Sequence, residues 1–150
     1  MTIYDTVIDE KLTRFLSTAP SFRLGVVRAV AGRCDERELN VGKVLAKQIS
    51  GLDRGNEMRF QMEVEDYLNK DVKEYSFEDE RFGKTVILSN PGILFESALG
   101  INVPAFLRRI SRNSLVILIW PGVVTGEKLC FLNESSELCI KQTEINYFTI

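Results

Sequence analysis

Histidine does not occur in this chain. Its absence excludes Ser-His-Asp and Cys-His nucleophile pairs, and with them any zinc site that depends on imidazole. Cysteine is scarce, and Cys34, Cys130 and Cys139 cannot alone supply the four ligands of a structural zinc. An odd number of widely spaced thiols reads as reduced cysteine rather than a disulfide framework. Long apolar runs are also missing: LVILIW at 115–120 is the longest, far below the ~20 residues that span a membrane. The opening MTIYDTVIDEKL has neither a basic start nor an apolar stretch after it, so no secretory signal is expected. Charge of one sign is lacking too. A net charge of −2 and a pI near 5.3 give no global attraction to nucleic acid, so any DNA contact must be local. A cytoplasmic protein without membrane partners is the expectation.

What is present is ordinary globular composition, 45% hydrophobic and 27% charged over 150 residues. That length fits one domain able to bury about 68–70% of its unfolded surface without staples. The chain is organised around FLRRISRNSLVILIWPG at 106–122. Val103, Phe106, Leu107 and Ile110 recur at helical spacing behind Asn102, a candidate N-cap, and LVILIW then reads as a central strand covered on both faces.

Ile8, Leu12, Phe15 and Leu16 predict a helix over 5–18, and Ser21 can cap a second over 22–34. A short strand at 39–41 precedes a helix from Lys43 that buries Leu45, Ile49 and Leu52. Asn56 caps the next helix, whose stripe is Phe60, Val64, Tyr67 and Leu68. Met58 and Met62, four apart, read as core, while Glu63, Glu65, Asp66 and Asp71 read as an acidic, solubilising patch rather than a metal site. Residues 73–84 are polar and read as loop, 85–88 as strand, and Pro91-Gly92 as a sharp stop. KLCFLN, LCIKQ and NYFTI predict a hairpin and a terminal strand, with the ESSE turn bringing Cys130 and Cys139 near one another.

A phosphate-binding loop needs G-x-x-x-x-G-K followed by Ser or Thr after a strand, so that backbone amides, a lysine and a hydroxyl meet phosphate and magnesium. Gly83-Lys84-Thr85 fails, because the first glycine would be Glu78 and the match precedes its strand. Gly42-Lys43 fails because Val44 follows.

Four segments carry a resemblance: Leu39-Asn40-Val41, TVILSNPGILFE at 85–96, Ile110-Ser111-Arg112-Asn113 and Trp120-Pro121-Gly122. Their order and spacing resemble the small P-loop subunit of bacteriophage-exclusion (BREX) defence systems, over about three quarters of the chain. The resemblance implies an α/β fold, a small mainly parallel sheet flanked by helices, as a reduced P-loop-NTPase-like core with a β-rich C-terminal tail.

It also implies a decayed site. Ser89 stands where the family has its Walker B aspartate, and Gly92 where an acid would polarise water. A gapless comparison sets Ser17-Thr18-Ala19-Pro20-Ser21-Phe22-Arg23-Leu24 over the Walker A octad, with Arg23 for its lysine and Leu24 for its hydroxyl residue. That comparison needs residues 11–16 to be a core strand where periodicity prefers helix; both stay open here. Arg112 and Asn113 fall where related ATPases sense the γ-phosphate, though a helix C-terminal cap is the preferred reading.

Because phosphoryl transfer depends on placed cations and carboxylates, the expected function is a non-catalytic pseudo-NTPase accessory subunit of an anti-phage complex. It needs no cofactor and binds other defence-system proteins. Two other classes remain: a nucleotide-binding regulatory ATPase with an unorthodox site, and a small DNA-binding component using Arg108, Arg109 and Arg112. These three arginines form the only compact basic cluster, a candidate contact for DNA phosphate or an acidic partner surface, with a solvated helix face as the preferred reading.

Overall fold

The computed structural model describes residues 6–29, 35–130 and 139–150. The chain opens with helix α1 (Thr6–Ser17), strand β1 (Leu24–Arg28), strand β2 (Leu39–Asn40), helix α2 (Val41–Ile49) and helix α3 (Glu57–Tyr75). It continues through β3 (Phe77–Asp79), β4 (Gly83–Ser89), two short 3-10 turns, α4 (Val103–Ser111) and β5 (Leu115–Trp120). It closes with β6 (Val123–Val124), β7 (Lys128–Cys130), β8 (Cys139–Lys141) and β9 (Phe148–Thr149).

The main sheet runs β2-β4-β5-β1-β9 with every neighbouring pair parallel, and β3 pairs antiparallel with the start of β4. A second, antiparallel sheet runs β6-β7-β8. Alternation along the central strands explains their unbroken apolar sequence. Val86, Leu88, Val116 and Leu118 face one core with Leu45, Phe60, Val64 and Phe106 of α2, α3 and α4. Ile87, Ile117 and Ile119 face another with Ile8 and Leu12 of α1. Covering both faces is what removes alternation from a parallel sheet.

Three expectations need correction. The helix over 22–34 is not formed: Leu24–Arg28 is β1, and 30–34 lie outside the described residues. Gly25 beside two β-branched valines is poor helix sequence, and in the strand Gly25 and Val26 pair with β5 on one side and β9 on the other. The loop over 73–84 is instead the end of α3 followed by a tight β3–β4 hairpin. Asp79 holds its turn by accepting from the backbone amides of Arg81 at 2.8 Å and Phe82 at 3.2 Å. Third, Cys130 and Cys139 are joined in a disulfide with Cα atoms 4.2 Å apart, directly opposite across β7 and β8. The ESSE turn and Cys34 lie outside the described residues.

N-caps at Asn40, Asn56 and Asn102 each accept from a first-turn amide, at 3.0, 3.1 and 3.1 Å. Asn40 starts α2 two residues earlier than Lys43, the expected start. Asp71 does not belong to the acidic patch. It is buried against α2, where it accepts from Gln48 Nε2 at 2.8 Å while Gln48 Oε1, also buried, has no partner among the described residues.

Burial raises the Asp71 carboxyl above its usual range, against the lowering effect of the Gln48 hydrogen bond. A folded-state pKa above the unfolded one makes the charged form a burden: the stability of the protonated form is lost as pH rises through the folded value. Asp71→Asn is therefore expected to raise the unfolding midpoint at neutral pH by about 2–4 °C, or about 1 kcal/mol, since an amide can donate to Gln48 Oε1. Melting curves across pH should show this advantage shrinking as pH falls towards 3.8, the ordinary value for an aspartate. A lower midpoint for the variant at neutral pH would contradict the assignment.

Candidate functional site

Ligands of open α/β sheets bind beyond the carboxyl ends of the strands. At that end here stand Asn40, Ser89, Asn90 and the first turn of α2. Asn40 Oδ1 accepts from the Lys43 amide and from Asn90 Nδ2, both at 3.0 Å, and the Gly42 amide donates to the Asn90 carbonyl at 3.0 Å. Asn90 reaches this position with a left-handed backbone, φ 50°. Gly42 admits it: a Cβ there would lie 2.4 Å from Asn90 Nδ2 and 3.1 Å from its carbonyl oxygen. Two of the first-turn helix amides that could meet an anion are thus bonded to the protein itself. Ser89 is buried, with Oγ lacking a partner among the described residues. Strand alternation sets it on the face of Ile87, across the sheet from α2. Gly92 follows Pro91 in the 3-10 turn Pro91–Phe95.

A phosphate loop would have to follow β1. The stretch from there to β2, residues 29–38, contains no lysine, serine or threonine. The octad of the gapless comparison runs from the last residue of α1 to the first of β1, and residues 11–16 before it are helix, which resolves the conflict over them. Arg23 sits at the amino end of the sheet, bonded through its backbone to Ser111 and Val116 and through Nη2 to the Phe82 carbonyl at 2.7 Å. Asn113, exposed, lies just before β5 at that same end. Arg23 and Asn113 are therefore separated from Ser89 and Gly92 by the length of the strands, on the order of 17–20 Å. The four positions do not form one site.

The arginines of α4 engage three different neighbours. Arg108 donates to the Glu144 carbonyl, and Arg109 donates to Asn69 Oδ1 at 2.6 Å with Glu65 Oε1 3.7 Å away. Arg112 lies over the Phe22 ring at 5.8 Å. The helix thereby ties α3, the C-terminal segment and the entry to β1 together.

The surface feature that sequence reading missed lies between α3 and α4. Met58 and Met62 are not core: they are 74% and 61% exposed. Each is two positions from Phe60, roughly 200° around a helix from the buried stripe, and that offset was readable. They line a groove of about 380 Å³ floored by Leu99, Ile101, Ala105 and Phe106. Glu65 and Arg109 lie along its rim. Gly100, at φ +66°, seats the entering turn against α3, where a Cβ would come 2.5 Å from Gln61 Cδ. Among the described residues no cluster of acidic or thiol side chains could hold a metal ion, and no helix is long and apolar enough to cross a membrane. No protein-family model, curated protein or solved structure matches the chain.

Proposed function

We propose that this chain is a non-catalytic accessory subunit, a pseudo-NTPase, of a bacterial anti-phage defence complex of the BREX type, acting by protein–protein binding. One observation carries the catalytic half of the reading: the stretch after β1 lacks the lysine and the hydroxyl of a phosphate loop. The closure of the α2 amides by Asn40 and Asn90 supports it. A reduced P-loop-like core is the finer fold reading that accompanies it. The parallel order β2-β4-β5-β1-β9 supports that reading by placing the end of β4, the Walker B counterpart, one strand away from β1. The defence context rests on the resemblance of the four quoted segments. It implies a cytoplasmic location, where the Cys130–Cys139 pair would meet a reducing thiol pool.

The test is thermal unfolding with and without millimolar Mg-ATP, for which no shift is expected. A ligand confined to the native state stabilises it by about 2.7 kcal/mol at a hundredfold excess over Kd, several degrees for a chain of this size. Such a shift would overturn the reading in favour of a regulatory ATPase. Retention on DNA that falls steeply with salt would replace it with a DNA-binding one.

A further inference from the structure

We propose that Cys130 and Cys139 form a thiol–disulfide exchange site, opened by a dithiol reductant while the protein stays folded and sensed in the main sheet through Trp120. The two cysteines lie nine apart in sequence and directly opposite across β7 and β8. They differ in access: Cys130 has no exposed surface, whereas Cys139 is half-buried. An external thiolate therefore meets the Cys139 sulfur first. It bonds to Cys139 Sγ, the Sγ–Sγ bond breaks, and Cys130 leaves as a thiolate that takes a proton from water. The second thiolate of the reductant then attacks the reductant's own sulfur in this mixed disulfide, and Cys139 leaves and is protonated in turn. The pair gains two electrons and two protons, and the dithiol becomes a disulfide.

The surroundings of the pair let the bond open without unfolding. Leu129 and Ile140, the next residues along the two strands, face each other and are buried in the main core. The Gln142 amide donates to the Glu127 carbonyl at 2.8 Å, and the Thr125 amide donates to the Lys128 carbonyl at 3.0 Å. These contacts keep β6, β7 and β8 together when the sulfurs part. The signal leaves through the backbone of Cys130, whose carbonyl accepts from Trp120 Nε1 at 3.0 Å. Trp120 ends β5, the central apolar strand. Once Cys130 is released from Cys139 its carbonyl shifts against the indole, so the state of one bond in the small sheet reaches the large one.

The experiment takes the air-oxidised full chain at neutral pH and adds millimolar dithiothreitol without denaturant. After acid quenching and alkylation in denaturant, peptide mass mapping should find label on Cys130 and Cys139 only in the reduced sample. Emission from Trp120, the only tryptophan, should move to longer wavelength and return on reoxidation, while the far-ultraviolet circular dichroism holds. The unfolding midpoint should fall by roughly 5–10 °C, as expected when a short closed loop is opened. Cys139→Ser should show the reduced emission without reductant and stay unmoved by it. In that variant Cys130 should alkylate more slowly, under native conditions, than Cys139 does in the reduced parent. Free thiols at both positions before reduction, a bond that resists dithiothreitol until the chain is unfolded, loss of circular dichroism with reduction, or unchanged Trp120 emission would each overturn the proposal. None of these readouts involves nucleotide or a partner, so the exchange site and the accessory-subunit reading stand or fall separately.

Discussion

Trp120→Ala is expected to cost about 3–5 kcal/mol, a large part of the ~5–15 kcal/mol that holds a domain together. Trp120 ends β5 with no exposed surface, meets Phe95 edge-on at 5.9 Å, and donates from Nε1 to the Cys130 carbonyl at 3.0 Å. Alanine would leave a cavity and a buried carbonyl without its donor. Trp120→Phe keeps the ring against Phe95 but loses the donor, so its cost should fall between, at about 1–3 kcal/mol. Trp120 is the only tryptophan, so unfolding of the variants has to be followed by circular dichroism in urea. A midpoint for Trp120→Ala equal to the parent's would mean that the two sheets are not joined here.

Gly42→Ala should destabilise by about 1–2 kcal/mol, the reverse of helix propensity, which favours alanine by about 1 kcal/mol inside a helix. The new methyl would displace Asn90 from its bonds to Asn40 and Gly42. Asn90→Ala should cost a comparable amount, because alanine tolerates φ 50° poorly and lacks the amide. Asn90→Gly should cost less than about 1 kcal/mol, since glycine adopts that backbone freely. The sharper test is the double variant. With Asn90→Gly in place, the side-chain atoms 2.4 and 2.9 Å from where the methyl would stand are gone and only the backbone carbonyl at 3.1 Å remains, so Gly42→Ala should cost clearly less than in the parent. A cycle showing additive costs would separate the two residues.

Most elements were legible where one physical signal dominated. The stripes of α1, α3 and α4 and the asparagine caps of α3 and α4 follow from spacing, and LVILIW lies in the middle of the sheet because it is apolar on both faces. β1 was not legible because its two valines and glycine become a strand only through partners far along the chain. β3 was missed because an edge strand that pairs over three residues needs little apolar sequence. Candidate sites fared differently. Motif comparison grouped Ser89 and Gly92 with Arg23 and Asn113, which stand at the opposite end of the strands: Arg23 because a gapless alignment cannot know that α1 precedes the first strand, and Asn113 because its segment ends just before β5. The methionines were misread because spacing four apart was considered without the phase of Phe60, Val64 and Leu68.

The position of β1 also decides when the molecule can be finished. Leu24 pairs with Val116 and Gly25 with Phe148, so this strand is made before either neighbour and waits for both until residues 115–149 have left the ribosome. β4 and β5, closer in sequence, can meet first and recruit it afterwards. Such late, long-range closure slows folding, and during the interval LGVVR presents two open edges to any other nascent strand. The step most exposed to aggregation is therefore the insertion of this short segment beside β5, before Phe148–Thr149 covers its other edge.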